Sequence, residues 1–132
     1  MINDDFRTNF EWVKKFDLEE RLIAFSVLII EITREMPGNY AAKHLARQLL
    51  RSGTSVALNY GEAQSGESRK DFIHKIKLVL KELRETFICL KIIERTQLYK
   101  TKTKIVKAKV EINERISIFV RSIATAQKNI RR

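Results

Sequence analysis

The sequence predicts an all-α fold, an antiparallel up-down four-helix bundle with a short N-terminal arm, on three observations. Apolar residues recur at alternating gaps of three and four in four separate stretches, which is what one buried face looks like on a 3.6-residue period. Strict polar–apolar alternation bounded by turn residues, the mark of a strand, never persists. Glycine and proline are scarce, four and one in 132 residues, so few places can interrupt a helix. A chain of this length suits one domain spanning 1–132, and four helices joined by short turns close most simply as antiparallel neighbours. With 44% hydrophobic and 32% charged residues, the composition excludes a disordered, collagen-like or loop-rich class.

Residues 1–16 carry Phe6, Phe10, Trp12 and Phe16 and are expected to pack as an arm or a short helix. The first long helix is expected over about 17–36. Asp17 and Glu20 have capping-box spacing there, and Leu18, Leu22, Phe25, Ile29, Ile32 and Met36 form one stripe. Pro37, Gly38 and Asn39 make the turn. The second helix, about 40–63, presents Ala42, Leu45, Leu49, Ser52, Val56 and Asn59, a small and polar stripe that predicts close helix approach. After the turn Gln64-Ser65-Gly66-Glu67, Ser68 is a natural cap with Asp71 three residues on.

The third helix, about 69–99, has the strongest periodicity: Ile73, Ile76, Leu80, Leu83, Phe87 and Leu90, widened by Phe72, Val79 and Ile93. The fourth, about 103–129, turns Ile105, Ile112, Ile116, Phe119, Ile123 and Ala126 inward. Leu78, Ile88 and Ile92 on the third helix, and Val106, Val110, Ile118 and Val120 on the fourth, exceed what one core can cover. They predict contact with another subunit.

The longest apolar run, Leu22 to Ile32, is broken by Ser26 and Glu31 and is short for a bilayer, so no membrane span is expected. The single cysteine, Cys89, has no internal disulfide partner, and no secretory-type leader opens the chain. An intracellular, cytoplasmic location is expected. Net charge is +10, and it is unevenly placed. Residues 1–66 hold 8 basic and 9 acidic side chains, whereas residues 67–132 hold 18 and 7. Such an imbalance points to a polyanion, with an acidic membrane surface, an acidic protein or simple solubility as the other readings.

The basic residues of the third helix are ordered. Lys70, Lys77, Arg84 and Lys91 follow at gaps of seven, flanked by Lys81 and Arg95, and Lys100, Lys102, Lys104, Lys107 and Lys109 extend the series into the fourth helix. A line of cations is what neutralising several phosphates along a backbone requires, although any amphipathic helix also has a charged solvent face. No helix-turn-helix spacing, zinc-ligand set or RNP-type strand is present, so the expected recognition is of backbone or shape, in RNA or DNA.

Catalytic constellations are sparse. Asp71 and His74 have a three-residue spacing that a metal or a metal-dependent nuclease could use, but such pairs are common on charged helices; His44 lies on another helix. Cys89 sits among core positions without an identifiable histidine and reads as a packed thiol. Glu82 and Glu85 read as ion-pair partners of neighbouring cations, and Gly53, Gly61 and Gly66 form no phosphate-cradling loop. No catalytic residue, metal or cofactor is expected.

The segment from Arg51 to Glu62, reading RSGTSVALNYGE, is followed by Ser68-Arg69-Lys70-Asp71-Phe72 and by Leu80-Lys81-Glu82-Leu83-Arg84-Glu85-Thr86. Together they resemble the four-helix-bundle family encoded in intervening sequences of bacterial 23S rRNA genes, over roughly residues 17–98. Where that family often has Ile-Pro, this chain reads Val56-Ala57, which removes the reason for a kink in the second helix. The resemblance implies a bundle protomer that forms a ring-like homopentamer without established enzymatic activity. A related branch, the accessory protein of diversity-generating retroelements, looks like a basic barrel that binds nucleic acid and a reverse transcriptase. By position, Arg51, Ser55, Asn59 and Glu62 match the motif, either as a structural polar network between helices or as a polar site at a subunit junction. The function expected is a non-enzymatic oligomeric nucleic-acid-binding or scaffolding protein, the alternative a protein-interaction adaptor for a partner such as a reverse transcriptase.

Overall fold

In the computed structural model, which describes residues 2–131 and the side chains of 17–130, the helix breaks fall where backbone chemistry requires them. Four helices follow in order: α1 (Ile2–Glu35), α2 (Tyr40–Gln64), α3 (Arg69–Arg95) and α4 (Lys102–Arg131). Asn39 caps α2, its Oδ1 accepting the Ala42 amide at 2.9 Å. Ser68 caps α3 through the Asp71 amide at 3.1 Å, as its spacing predicts, and Asp71 places negative charge in the first turn. α2 is one uninterrupted helix.

Two boundaries differ from expectation. α1 begins at Ile2, so Asp17 lies within the helix and sits 3.7 Å from Arg21 one turn on, instead of capping. Residues 2–35 hold no glycine or proline, and once nucleated a helix propagates through such a stretch. The packing of Phe6, Phe10, Trp12 and Phe16 lies outside the described side chains. α3 stops at Arg95, short of 99, because Gln97 adopts a left-handed conformation at φ 55°. The Gln97 amide donates to the Glu94 carbonyl and the Leu98 amide to the Ile93 carbonyl, each at 3.3 Å, the bonding of a Schellman cap.

Each helix packs against its two neighbours around a square, α1 on α2, α2 on α3, α3 on α4 and, most sparsely, α4 on α1. The core holds Leu22, Phe25, Ile29 and Ile32 of α1, Leu49 and Val56 of α2, Ile76, Leu83 and Leu90 of α3, and Ile105, Ile112 and Phe119 of α4. The small stripe on α2 does bring helices close, since a Cβ on Gly53 would stand 2.7 Å from Cγ2 of the buried Ile29. Asn59 is only half-buried; the next residue, Tyr60, enters the core instead and meets Phe119 at 5.8 Å between ring centroids. Burial pushes the Tyr60 hydroxyl up to about 12. No helix among the described residues is long and apolar enough to cross a membrane.

Candidate nucleic-acid interface

Seven residues make nearly two turns of helix, so cations at 70, 77, 84 and 91 stay on one face of α3. The structure leaves Lys70, Lys77, Lys81, Arg84 and Arg95 exposed there, and none of the five forms an ion pair among the described residues. Lys91 is half-buried, its Nζ 5.4 Å from the centroid of the Phe87 ring. The glutamates of α3 lie elsewhere, and Asp71 stands exposed in its first turn. Glu82 and Glu85 face α2, where Arg51 reaches them at 3.4 and 2.5 Å, and Glu94 faces α4, where Lys109 reaches it at 3.0 Å. From Lys77 to Arg95 the outward stripe therefore carries cations without a carboxylate paired to them among the described residues.

The lysines of α4 do not continue that face as one surface. On a 3.6-residue period, positions 104 and 107 fall on the opposite side from 102 and 109. Lys104 points to α1, pairing with Glu35 and lying 3.8 Å from Glu31, and Lys107 lines a groove with Arg21, Phe25 and Leu28 of α1. Lys109 is on the α3 side but committed to Glu94, with its Nζ also 5.8 Å from the Phe87 centroid. Lys102 is exposed beside the turn. Of the ten predicted contacts, the six on α3 share a face, Lys102 is exposed at the start of α4, and Lys104, Lys107 and Lys109 are drawn toward α1 or Glu94.

The four polar residues of α2 do not bond to one another through their side chains. Arg51 bridges to Glu82 and Glu85, and Glu62 to Lys75, whereas the Ser55 hydroxyl donates to the Arg51 carbonyl one turn back, at 2.6 Å. No hydrogen bond to the Asn59 side chain forms among the described residues. The Arg51 guanidinium holds the Glu85 carboxyl below its ordinary range, while burial and the neighbouring Glu85 push Glu82 above it. Periodicity put Ser52 inward but passed over its partner: the Thr86 hydroxyl donates to the Ser52 hydroxyl at 2.8 Å, both residues fully enclosed. Glu82 and Arg115, buried although charged, were equally hidden, because isolated charges in a helix read as surface.

Cys89 is buried, its thiol donating toward the Leu45 carbonyl at 3.6 Å, and burial pushes it up to about 11. A thiol in that range stays protonated at neutral pH and is a poor nucleophile. Asp71 and His74 are both exposed on α3, and among the described residues no group of three or more His, Cys, Asp or Glu side chains gathers to hold a metal.

Residues 14–120 match the model of the 23S rRNA-intervening sequence protein family. The chain belongs to that family. Among solved structures it is similar to a protein of unknown function from the S23 ribosomal protein family of Bacteroides thetaiotaomicron, with 28% identity over 80% of this chain and 96% of that one, at a TM-score of 0.73. No curated protein matches. The stretches that carried the resemblance now have a physical role as the α2–α3 seam. Arg51 meets Glu82 and Glu85, Ser52 meets Thr86, Glu62 meets Lys75, and Ser68 starts α3. The exposed cations from Lys70 to Arg95 fall within the matched residues.

Proposed function

We propose that this family member is a non-enzymatic, homo-oligomeric protein that holds RNA or DNA by its backbone along the outer face of α3. The observation that carries this reading is the set Lys70, Lys77, Lys81, Arg84 and Arg95, exposed on one face without an ion pair among the described residues. A helix face needed only for solubility is usually laced with both signs, since opposite charges one turn apart stabilise a helix. Here the three glutamates of α3 turn to α2 and α4 instead, and Asp71 in the first turn is its one other acid. Assembly into a ring, with a pentamer as the first expectation from the family likeness, would align several such faces and multiply weak contacts.

The test is fluorescence anisotropy of labelled RNA and DNA with nuclease-treated protein across a salt series. The expected result is affinity that falls linearly on a log–log plot, with a slope of about 0.7 to 0.9 per phosphate contacted. The triple variant Lys77→Glu, Lys81→Glu, Arg84→Glu is expected to weaken binding at least about tenfold and flatten that slope while retaining its helical circular dichroism. Unchanged affinity in the triple variant removes α3 as the interface. Absence of binding by the unmodified protein at low salt turns the reading to a protein-binding adaptor.

A further inference from the structure

A groove of about 440 Å³ runs beside the basic stripe, between α3 and α4, lined by Lys77, Leu80, Arg84, Val120 and Ile123. Lys77 and Arg84 stand on its α3 side, separated by about 10.5 Å along the helix axis. The rest of the lining is aliphatic, and Val120 is 45% exposed. Three other grooves each include a carboxylate: Glu67 near the α2–α3 turn, Glu35 near the α3–α4 turn, and Glu111 between α1 and α4. The α3–α4 groove has cations and no acid, which suits an occupant that is anionic at its edge and apolar at its centre.

Phosphate attraction alone would account for the two cations but would leave the aliphatic walls open to water, at a cost that grows with the apolar area exposed. A nucleotide in a single strand has both parts, a charged backbone and a flat apolar base face that a duplex hides in its stack. Phe87, beside Lys91 of the stripe, is a poor stacking platform because two lysine ammonium groups, those of Lys91 and Lys109, already attend its ring.

We propose that this groove receives an unpaired nucleobase from a single strand whose phosphates lie against Lys77 and Arg84, making single-stranded RNA or DNA the preferred ligand class. The inference rests on the backbone-binding role of α3 and adds a base-dependent contact to it.

The test compares two labelled strands of equal phosphate count, an oligothymidylate and an oligomer of abasic tetrahydrofuran residues, each about 15 nucleotides long, binding the full nuclease-treated chain. The base-bearing strand is expected to bind about fivefold more tightly. Val120→Gln makes one wall polar without changing charge and is expected to bring that ratio toward one while leaving abasic-strand binding unaltered. Equal affinities for the two strands in the unmodified protein overturn the slot and leave backbone binding standing. A ratio unchanged in Val120→Gln also overturns it, since the bases are then read elsewhere. Failure of both strands to bind overturns the slot together with the α3 interface on which it rests.

Discussion

Two glycines of α2 show how far identical side chains can differ in consequence. A Cβ at Gly53 would lie 2.7 and 2.9 Å from the two γ carbons of Ile29, which is fully buried and branched, so it has little room to yield. Gly53→Ala is expected to destabilise by about 1–3 kcal/mol, overpacking outweighing the gain of up to about 1 kcal/mol in helix propensity. At Gly61 nothing lies within 4 Å, and the same substitution is expected to stabilise by about 0.5–1 kcal/mol. Urea denaturation of both variants checks the pair, and equal shifts would show that α1 and α2 are not in close approach at Gly53. The small stripe of α2 announced that approach in the sequence, but not which residue makes it. A single line of three-and-four spacings put Ser52, Val56 and Asn59 inward. The observed face is wider and takes in Gly53 and Tyr60, one position further round. Glu82, Arg115 and the Ser52–Thr86 bond escaped for a related reason, since burial of a polar side chain depends on a partner from another part of the chain.

Between elements, the sparsest seam is the one joining α1 to α4, and its turn end is tied by side chains. The Tyr99 hydroxyl donates to Glu35 at 2.5 Å, and Lys104 donates to the other carboxylate oxygen. Lys104, followed by Tyr99, holds the Glu35 carboxyl below its ordinary range. An acid whose native value is depressed stabilises the fold above its unfolded value and loses that contribution as the pH falls through the native one. Glu35→Gln is therefore expected to lower Tm at pH 7, with the difference from the unmodified protein shrinking once the pH passes below about 4.3. Thermal melts over a pH series read this directly. A Tm gap that stays constant into acid would assign the effect to packing, not charge. The fold at this scale was largely legible: four helices, the two turns at Pro37-Gly38-Asn39 and Ser65-Gly66, and the Asn39 region and Ser68 as starts. The ends of α1 and α3 were not. Asp17 has the chemistry of a cap but no break before it, and the residue in the left-handed position after α3 is Gln97, where glycine or asparagine would have signalled a stop.

At the scale of the whole molecule, the antiparallel order puts the strongly basic half of the chain, α3 and α4, side by side, with the near-neutral α1 and α2 opposite. Exposed cations run the length of the α3–α4 pair, and exposed apolar side chains are densest near its turn. Lys70, Lys77, Lys81 and Arg84 occupy the half far from its turn, while Ile88, Ile92, Val106 and Val110, each between 43% and 54% exposed, occupy the near half. A second apolar pair, Ile23 and Val27, stands exposed on α1. Two unlike apolar patches on one protomer suit head-to-tail association, which closes into a ring when the rotation between neighbours permits it. Such a ring would bury the patches while Lys70, Lys77, Lys81 and Arg84 stayed in solvent. Sedimentation equilibrium is expected to give a species well above the 15.5 kDa protomer, with five copies, about 78 kDa, as the first expectation. Ile88→Gln with Val110→Gln, which leaves the charge of the α3 face unchanged, is expected to reduce it to smaller species while the helical signal persists, since both side chains already face outward and their loss opens no cavity. The same variant separates assembly from binding. If the α3 face acts alone, each protomer retains its weak, salt-sensitive affinity and loses only the gain from several faces engaging one strand. A monomeric mass for the unmodified protein would leave these patches without a second copy to cover them, and would remove multivalency from the account of binding.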